Sequence, residues 1–231
     1  MRVTWLGHGS FRIQVADQVL LLDPWITGNP SFPEERAKEA LDGATAILLT
    51  HGHFDHTQDC ADIAKERGLH LYGIFELINW FTAVPGVEGT GFNRGGTVQI
   101  GDVSVTLVQA SHSSSVQANT GPCYMGQECG FMIEAGGRTL YAMGDTDSMA
   151  DWAWMAEYHR PDFAIVPIGG HFTMDGKRAG WGVRKYFPEL KGAIPGHYRT
   201  FPVLAQSADE FVEAMKPIPV HVPDVLESVD L

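Results

Sequence analysis

Three histidines and an aspartate crowd into one hexapeptide, His51-Gly52-His53-Phe54-Asp55-His56, and no other stretch of this 231-residue chain constrains its fold so tightly. The apolar run before it, Ala46-Ile47-Leu48-Leu49, reads as a buried strand, too brief for a helix. The residues after it, Thr57 to Arg67, read as a helix stopped by Gly68. The hexapeptide therefore fills the loop between a strand's end and a helix's start. Packing so many imidazoles and a carboxylate together is costly unless a cation occupies the centre. Neutral imidazole and carboxylate are ligands of zinc, manganese or iron. Their alternation lets His51 and His53 face one centre while Asp55 and His56, past the bend, face a second. The competing explanation is a surface loop that is merely rich in histidine, and the rest of the chain decides against it.

Around this loop the sequence alternates strands and helices. Three strands open it, at Val3–Leu6, Phe11–Val15 and Val19–Asp23, joined by tight turns at Gly7-His8-Gly9-Ser10 and Ala16-Asp17-Gln18. A charged helix spans Glu34 to Leu41. Beyond the metal loop come a strand near Leu69–Tyr72, a helix from Phe75 to Phe81, and a hairpin of Thr97–Ile100 with Val103–Gln109 turned by Gly101-Asp102. A long loop, Ser111 to Gln127, separates this half from a hairpin of Gly130–Glu134 and Thr139–Ala142. A helix carrying Trp152 and Met155 follows, capped by Thr146 or Asp147. The chain continues with a strand at Phe163–Ile168, a loop over Gly169–Gly180, a short helix at Gly182–Phe187 and a strand at Ala193-Ile194. A helix over Ser207–Met215 and a last strand near Val220–Val222 complete it. The two halves roughly match, which suggests two mixed sheets face to face with helices outside. No linker or charge block divides the chain, so residues 1–231 are expected to form one unit.

Further candidate ligands sit just past strand ends. His112 follows Val108-Gln109-Ala110-Ser111, Asp145 follows Tyr141-Ala142-Met143-Gly144, and His197 follows Ala193-Ile194-Pro195-Gly196. Each alone has an ordinary explanation, as a helix cap, a turn or a loop residue. Their shared placement makes them one set, since layered folds carry their sites at strand ends.

The ordered set of Asp23, His51-x-His53-x-Asp55-His56, His112, Asp145 and His197 resembles the motifs of the metallo-β-lactamase superfamily over nearly the whole chain. More narrowly, Leu6-Gly7-His8-Gly9-Ser10-Phe11, Ile26-Thr27-Gly28-Asn29-Pro30, Ala110-Ser111-His112-Ser113-Ser114 and Pro167-Ile168-Gly169-Gly170-His171-Phe172-Thr173-Met174 look like bacterial metal-dependent hydrolases related to L-ascorbate-6-phosphate lactonases. The resemblance implies a four-layer αββα sandwich with a cleft for two divalent metal ions, zinc or manganese before iron. It implies His51, His53 and His112 on one ion, Asp55, His56 and His197 on the other, and Asp145 between them. Di-iron oxidoreductases of the superfamily usually carry a glutamate in place of His53, so the resemblance favours hydrolysis of a lactone or phosphodiester. A di-iron redox protein and a non-catalytic metal-binding sensor remain the alternatives.

In a hydrolase of this kind Asp55 would hold the proton of a metal-bound hydroxide, and Asp23 and Thr50 would orient the histidines. For Asp23, an Asx turn before Pro24 explains the residue equally well. His8 and His171 are candidate catalytic groups: His8 as a proton donor or substrate contact, His171 because it too follows a strand. Arg199 and Ser113-Ser114-Ser115 could bind an anionic group, although a surface arginine and an ordinary serine-rich loop account for them as well.

The net charge of −12 argues against a nucleic-acid backbone or an anionic membrane as the main partner. A small anionic substrate stays open, because bound cations reverse the field locally. Cys60, Cys123 and Cys129 include no C-x-x-C pair, which points to reduced thiols in a cytoplasm. The chain enters a strand pattern at Met1–Trp5 with no apolar leader and holds no apolar run of membrane length. A homo-oligomer is compatible with the resemblance.

Overall fold

In the computed structural model, which describes residues 1–231, the chain opens with an antiparallel meander of β1 (Arg2–Trp5), β2 (Phe11–Val15) and β3 (Gln18–Leu22). A 3-10 turn at Glu34–Arg36 leads into α1 (Ala37–Leu41), and β4 (Ala46–Leu49) then lies parallel to β3. The expected helix after the metal loop is two pieces, α2 (Phe54–Thr57) and α3 (Cys60–Arg67). It starts earlier than its sequence suggests, so Asp55 and His56 lie on a helical turn. Next come β5 (His70–Ile74), α4 (Phe75–Thr82) and β6 (Glu88–Phe92), the last a strand where only turns were expected.

The second sheet begins with the hairpin of β7 (Thr97–Ile100) and β8 (Val103–Gln109). The long loop that follows contains a small two-stranded ribbon, β9 (Ser115–Ala118) and β10 (Gly121–Tyr124). Then come β11 (Cys129–Ala135), β12 (Arg138–Ala142), α5 (Trp152–His159), β13 (Phe163–Pro167), α6 (Gly176–Tyr186), β14 (Gly192–Gly196) and α7 (Asp209–Met215). Asp151, not Thr146 or Asp147, occupies the N-cap of α5. Helix α6 replaces part of an expected loop; it starts after Asp175, whose side chain accepts a hydrogen bond from the Arg178 amide at 2.7 Å. Val220 makes only an isolated bridge to Ala193, and the last strand is β15 (Ser228–Asp230), which crosses back to pair with β1.

The strands form a seven-stranded sheet ordered β15-β1-β2-β3-β4-β5-β6 and a six-stranded sheet ordered β14-β13-β12-β11-β8-β7. Alternate side chains of a strand face opposite sides, and in β3 and β4 both sides are apolar because both are covered. Leu20, Leu22, Ala46 and Leu48 face the second sheet in a core of 40 buried residues that includes Val105, Leu107, Phe131 and Ile133. Leu21, Ile47 and Leu49 face outward into a second cluster with Ala40 of α1, Ile63 and Ala64 of α3, and Leu77 and Ile78 of α4. On the far side, Trp152 and Met155 of α5, Val183 of α6 and Phe211 and Met215 of α7 cover the second sheet. The result is the expected four-layer αββα sandwich.

Strand direction places the site. β3, β4 and β5 are mutually parallel, as are β12, β13 and β14. β8 is antiparallel to β11, which is antiparallel to β12, so β8 runs with β12. The C-terminal ends of β3, β4, β8, β12 and β14 deliver Asp23, His51, His112, Asp145 and His197.

Because Phe131 is fully buried between the sheets, Phe131→Ala should cost about 3–5 kcal/mol in a urea denaturation. A loss under ~1 kcal/mol would show that the sheets close over the gap.

Candidate metal centre

The site is assembled around one buried carboxylate. Asp23, at φ +45° and 1% exposed, accepts the Thr50 amide at 2.8 Å on Oδ1. On Oδ2 it accepts the Thr50 hydroxyl at 2.5 Å and His56 Nδ1 at 2.8 Å. With its proton given to Asp23, Thr50 Oγ1 can only accept from His51 Nδ1, 2.9 Å away. The tautomers of both rings follow: His51 and His56 each carry the proton on Nδ1 and turn the Nε2 lone pair inward. Ser10 secures the same corner, donating its hydroxyl to the Asp23 carbonyl at 2.6 Å and accepting the Trp25 amide at 3.0 Å. Asp59 anchors the next loop by accepting the Ile26 and Thr27 amides at 2.6 and 2.9 Å. Gly9 is required here, because a Cβ would come within 2.7 Å of His56 Cε1.

Two groups of donor atoms face each other, His51, His53 and His112 on one side and His8, Asp55, His56 and His197 on the other. Asp145 lies between them. Its Oδ2 is 2.9 Å from His197 Nε2, 3.6 Å from His112 Nε2 and 4.0 Å from His51 Nε2, and its Oδ1 is 3.5 Å from His56 Nε2. Gly144, at φ +64°, lets the backbone before Asp145 pass within reach of Thr50 and the Cys129 carbonyl. The Asp145 and His112 loops are tied together, the Ser111 amide donating to Thr146 Oγ1 at 2.9 Å and the Asp147 amide to the Ser111 carbonyl at 3.0 Å. Glu128 Oε1 accepts the His112 amide at 3.1 Å, and Arg94 in turn pairs with Glu128.

The donor set fits a divalent cation. His56 Nε2 and both nitrogens of His197 are buried without a hydrogen-bond partner, a condition that native interiors avoid. His197 Nε2 is close to Asp145 but not aligned as a hydrogen bond. His51 Nε2 and His53 Nδ1 are 3.0 Å apart, near the spacing of two ligands each about 2.0–2.1 Å from a shared ion. Burial, reinforced by His56, holds His51 well below the ordinary histidine range, and burial lowers His53 and His112 as well. These rings are neutral donors. Burial opposes charge on Asp145 and Asp55, yet the neighbouring histidines prevail and keep both carboxyls below the usual range. Burial also opposes charge on His56, but Asp145 and Asp23 outweigh it and raise its pKa well above normal, so its Nε2 lone pair is free for an ion only when that cation takes the place of a proton. The pocket thus attracts positive charge at its centre.

The structure brings His51, His53, Asp55, His56, His112, Asp145 and His197 together, and it keeps His8, His171 and Arg199 out of the cleft lining. His8 is fully buried behind Asp55, with Nε2 2.8 Å from Asp55 Oδ2 and Nδ1 2.9 Å from Thr200 Oγ1. Burial and the adjacent His197 lower its pKa to about 4, so neutral His8 donates Nε2–H to Asp55 and accepts from Thr200. It has no open face toward a substrate. His171 is exposed, packs edge-on to Phe172 and does not line the cleft. Arg199 is exposed and ion-paired to Asp224 at 3.6 Å. Of the serines, Ser114 is buried and accepts the Gly52 amide at 3.2 Å, while Ser113 and Ser115 line the cleft. Glu128, Asp59 and Thr200 do not stand out in the sequence, and Thr146 reads there only as a helix cap, because each acts through a backbone or side-chain contact that spacing does not reveal.

The β-lactamase superfamily domain profile matches residues 2–189. Along its whole length the chain is 54% identical to a UPF0173 metal-dependent hydrolase of Cereibacter sphaeroides, over 231 residues and 100% of each chain. The chain belongs to this family of metal-dependent hydrolases. Among solved structures it is similar to Igni18, a metallo hydrolase from Ignicoccus hospitalis, at 28% identity and a TM-score of 0.86, covering 99% of this chain and 97% of that one. The fold is also that of the metallo-β-lactamase fold protein YhfI from Bacillus subtilis, with a TM-score of 0.73 at 18% identity over 99% and 98% of the two chains. As a member of UPF0173 the chain carries the His/Asp clusters able to hold metal that its family name demands.

Since Asp23 fixes both Thr50 and His56, Asp23→Asn should weaken Zn²⁺ or Mn²⁺ binding about 10–100-fold in a competition titration against a chromophoric chelator. Affinity equal to the wild type would show that the carboxylate does not orient the donors.

Proposed function

We propose that this UPF0173 protein hydrolyses a small ester-like substrate, a lactone or a phosphodiester, with two divalent ions, zinc or manganese. His51, His53 and His112 hold one ion, Asp55, His56 and His197 the other, and Asp145 joins them. The observation that carries this reading is the position of Asp145, with one oxygen 3.5 Å from His56 and the other 3.6 Å from His112, members of different donor groups. A predominance of imidazole suits zinc and admits manganese or iron. Ions bound there would lower the pKa of a coordinated water from 15.7 to about 7 and neutralise charge developing on the electrophile.

The protein's own groups do the positioning. Asp55 lies at the cleft, where its carboxylate would accept a hydrogen bond from the nucleophile and so aim the attacking oxygen. His8 keeps that carboxylate in place from behind, held in turn by Thr200. His8 is therefore a positioning residue and not a proton donor to the leaving group. His171, on its exposed loop, has no catalytic part in this scheme. Ser113 Oγ, 3.4 Å from His53 Nε2, steadies the outermost ring. Free Cys60, Cys123 and Cys129, two of them buried, suit a reducing cytoplasm, and no helix is long and apolar enough to cross a membrane.

The test is metal-reconstituted protein on a panel of lactones, phosphodiesters and thioesters. Chelation should abolish turnover and re-addition of the ion should restore it. His53→Ala should lower the metal content from two ions per chain to one and take turnover below detection. Turnover unchanged in His53→Ala would remove the first ion from the scheme, and iron absorbance that responds to reductant would favour redox chemistry.

A further inference from the structure

The walls of the cleft specify what it admits. It encloses about 640 Å³ above Asp55, Asp145 and His197, room for a small organic molecule. Phe54, Phe172, Phe201, Pro202 and Val203 contribute its apolar lining, and Ser113, Ser115 and Gln117 its uncharged polar lining. No lysine or arginine lines it. The candidate cations nearby are committed elsewhere. Arg199 lies over the Trp5 ring, 5.8 Å from its centre, and pairs with Asp224. Arg178 forks onto both oxygens of Asp147, and Arg94 pairs with Glu128. An anionic group away from the reacting centre would find no counter-charge, on a protein of net charge −12.

One buried indole backs part of the apolar wall. Trp25, 3% exposed and hydrogen-bonded through Nε1 to the Thr27 carbonyl at 3.0 Å, packs edge-on to Phe54 at 5.6 Å and stacks on Phe201 at 5.8 Å. Phe54 and Phe201 are thus fixed by one buried indole. Yet Phe54, Phe172 and Val203 stay 56%, 53% and 57% exposed. A cluster of large apolar groups beside a polar centre, held open by its own packing, marks a binding surface.

We propose that the substrate is an uncharged ester or lactone bearing an apolar alkyl or aryl arm, which lies along Phe54, Phe201 and Phe172 while its carbonyl meets the Asp55–Asp145 floor. This rests on the hydrolase reading above and narrows it to substrates whose arm away from the reacting centre carries no charge. Water adds its oxygen to the acyl carbon, the acyl C–O bond breaks, and the departing oxygen takes a proton, leaving a carboxylic acid and an alcohol.

The experiment uses the full-length, metal-loaded protein and two matched series with methyl to hexyl arms. One series is γ-lactones, followed by kcat/KM; the other is the corresponding γ-lactams, which resist hydrolysis, followed by calorimetric Kd. Lactones whose arm ends in a carboxylate or phosphate form the charged controls. Both kcat/KM and lactam affinity should rise about three- to fourfold per methylene, and the charged controls should lose that gain. Phe201→Ala and, separately, the more exposed Phe172→Ala should flatten the slope. Lactone turnover with no dependence on arm length, or preference for the charged arms, would overturn the substrate class and leave the hydrolase standing. A lactam slope with no lactone turnover would keep the apolar subsite and remove the hydrolase reading.

Discussion

Asp23 buries a carboxylate at the end of β3 and accepts three hydrogen bonds there, all from the segment after β4. Such a group is costly to bury alone, and here it is satisfied by the Thr50 amide, the Thr50 hydroxyl and the His56 ring. Those bonds choose the tautomers of His51 and His56, and the tautomers decide which nitrogens face the cleft. The donor geometry therefore descends from a residue that touches no substrate.

The sandwich turns this local arrangement into a site. The sheets meet through an apolar core, and the strands that run in the same direction end at one rim. Loops there are short of freedom because they are bonded to each other: Ser111 to Thr146, His112 to Glu128, His197 to the His8 carbonyl at 2.8 Å. A cluster of imidazoles and ionised carboxylates held this firmly has little room to relax, and it draws positive charge to its centre, a proton on His56 or a bound cation.

Much of this was legible in the sequence because ligand types at strand ends stand out against apolar runs. Ala46–Leu49 and the hairpin of Thr97–Ile100 with Val103–Gln109 coincide with β4, β7 and β8. Other elements were hidden by glycine. β6 reads as turns because Gly89 and Gly91 leave space for Ile78 and Phe75, where a Cβ would come within 2.6 and 2.8 Å of them. The start of α6 reads as loop because Gly176 and Gly180 allow α7 to press close, with a Cβ on Gly180 only 2.5 Å from that of Ala214. Tertiary packing overrode helix propensity at these positions. At the site, spacing alone grouped the donors but could not tell buried His8 from exposed His171, since burial is decided by elements far away in the chain.

The return of β15 to β1 also bears on how the molecule is made. Arg2 pairs with Asp230 and Thr4 with Ser228, so the outer edge of the first strand is covered by a segment more than 220 residues away in the chain. Contacts of such separation form slowly. Until they form, β1 presents an unpaired backbone edge of the kind onto which stray strands add. A nascent chain would carry that open edge, next to the hairpin that holds His8, until Ser228–Asp230 has emerged and paired.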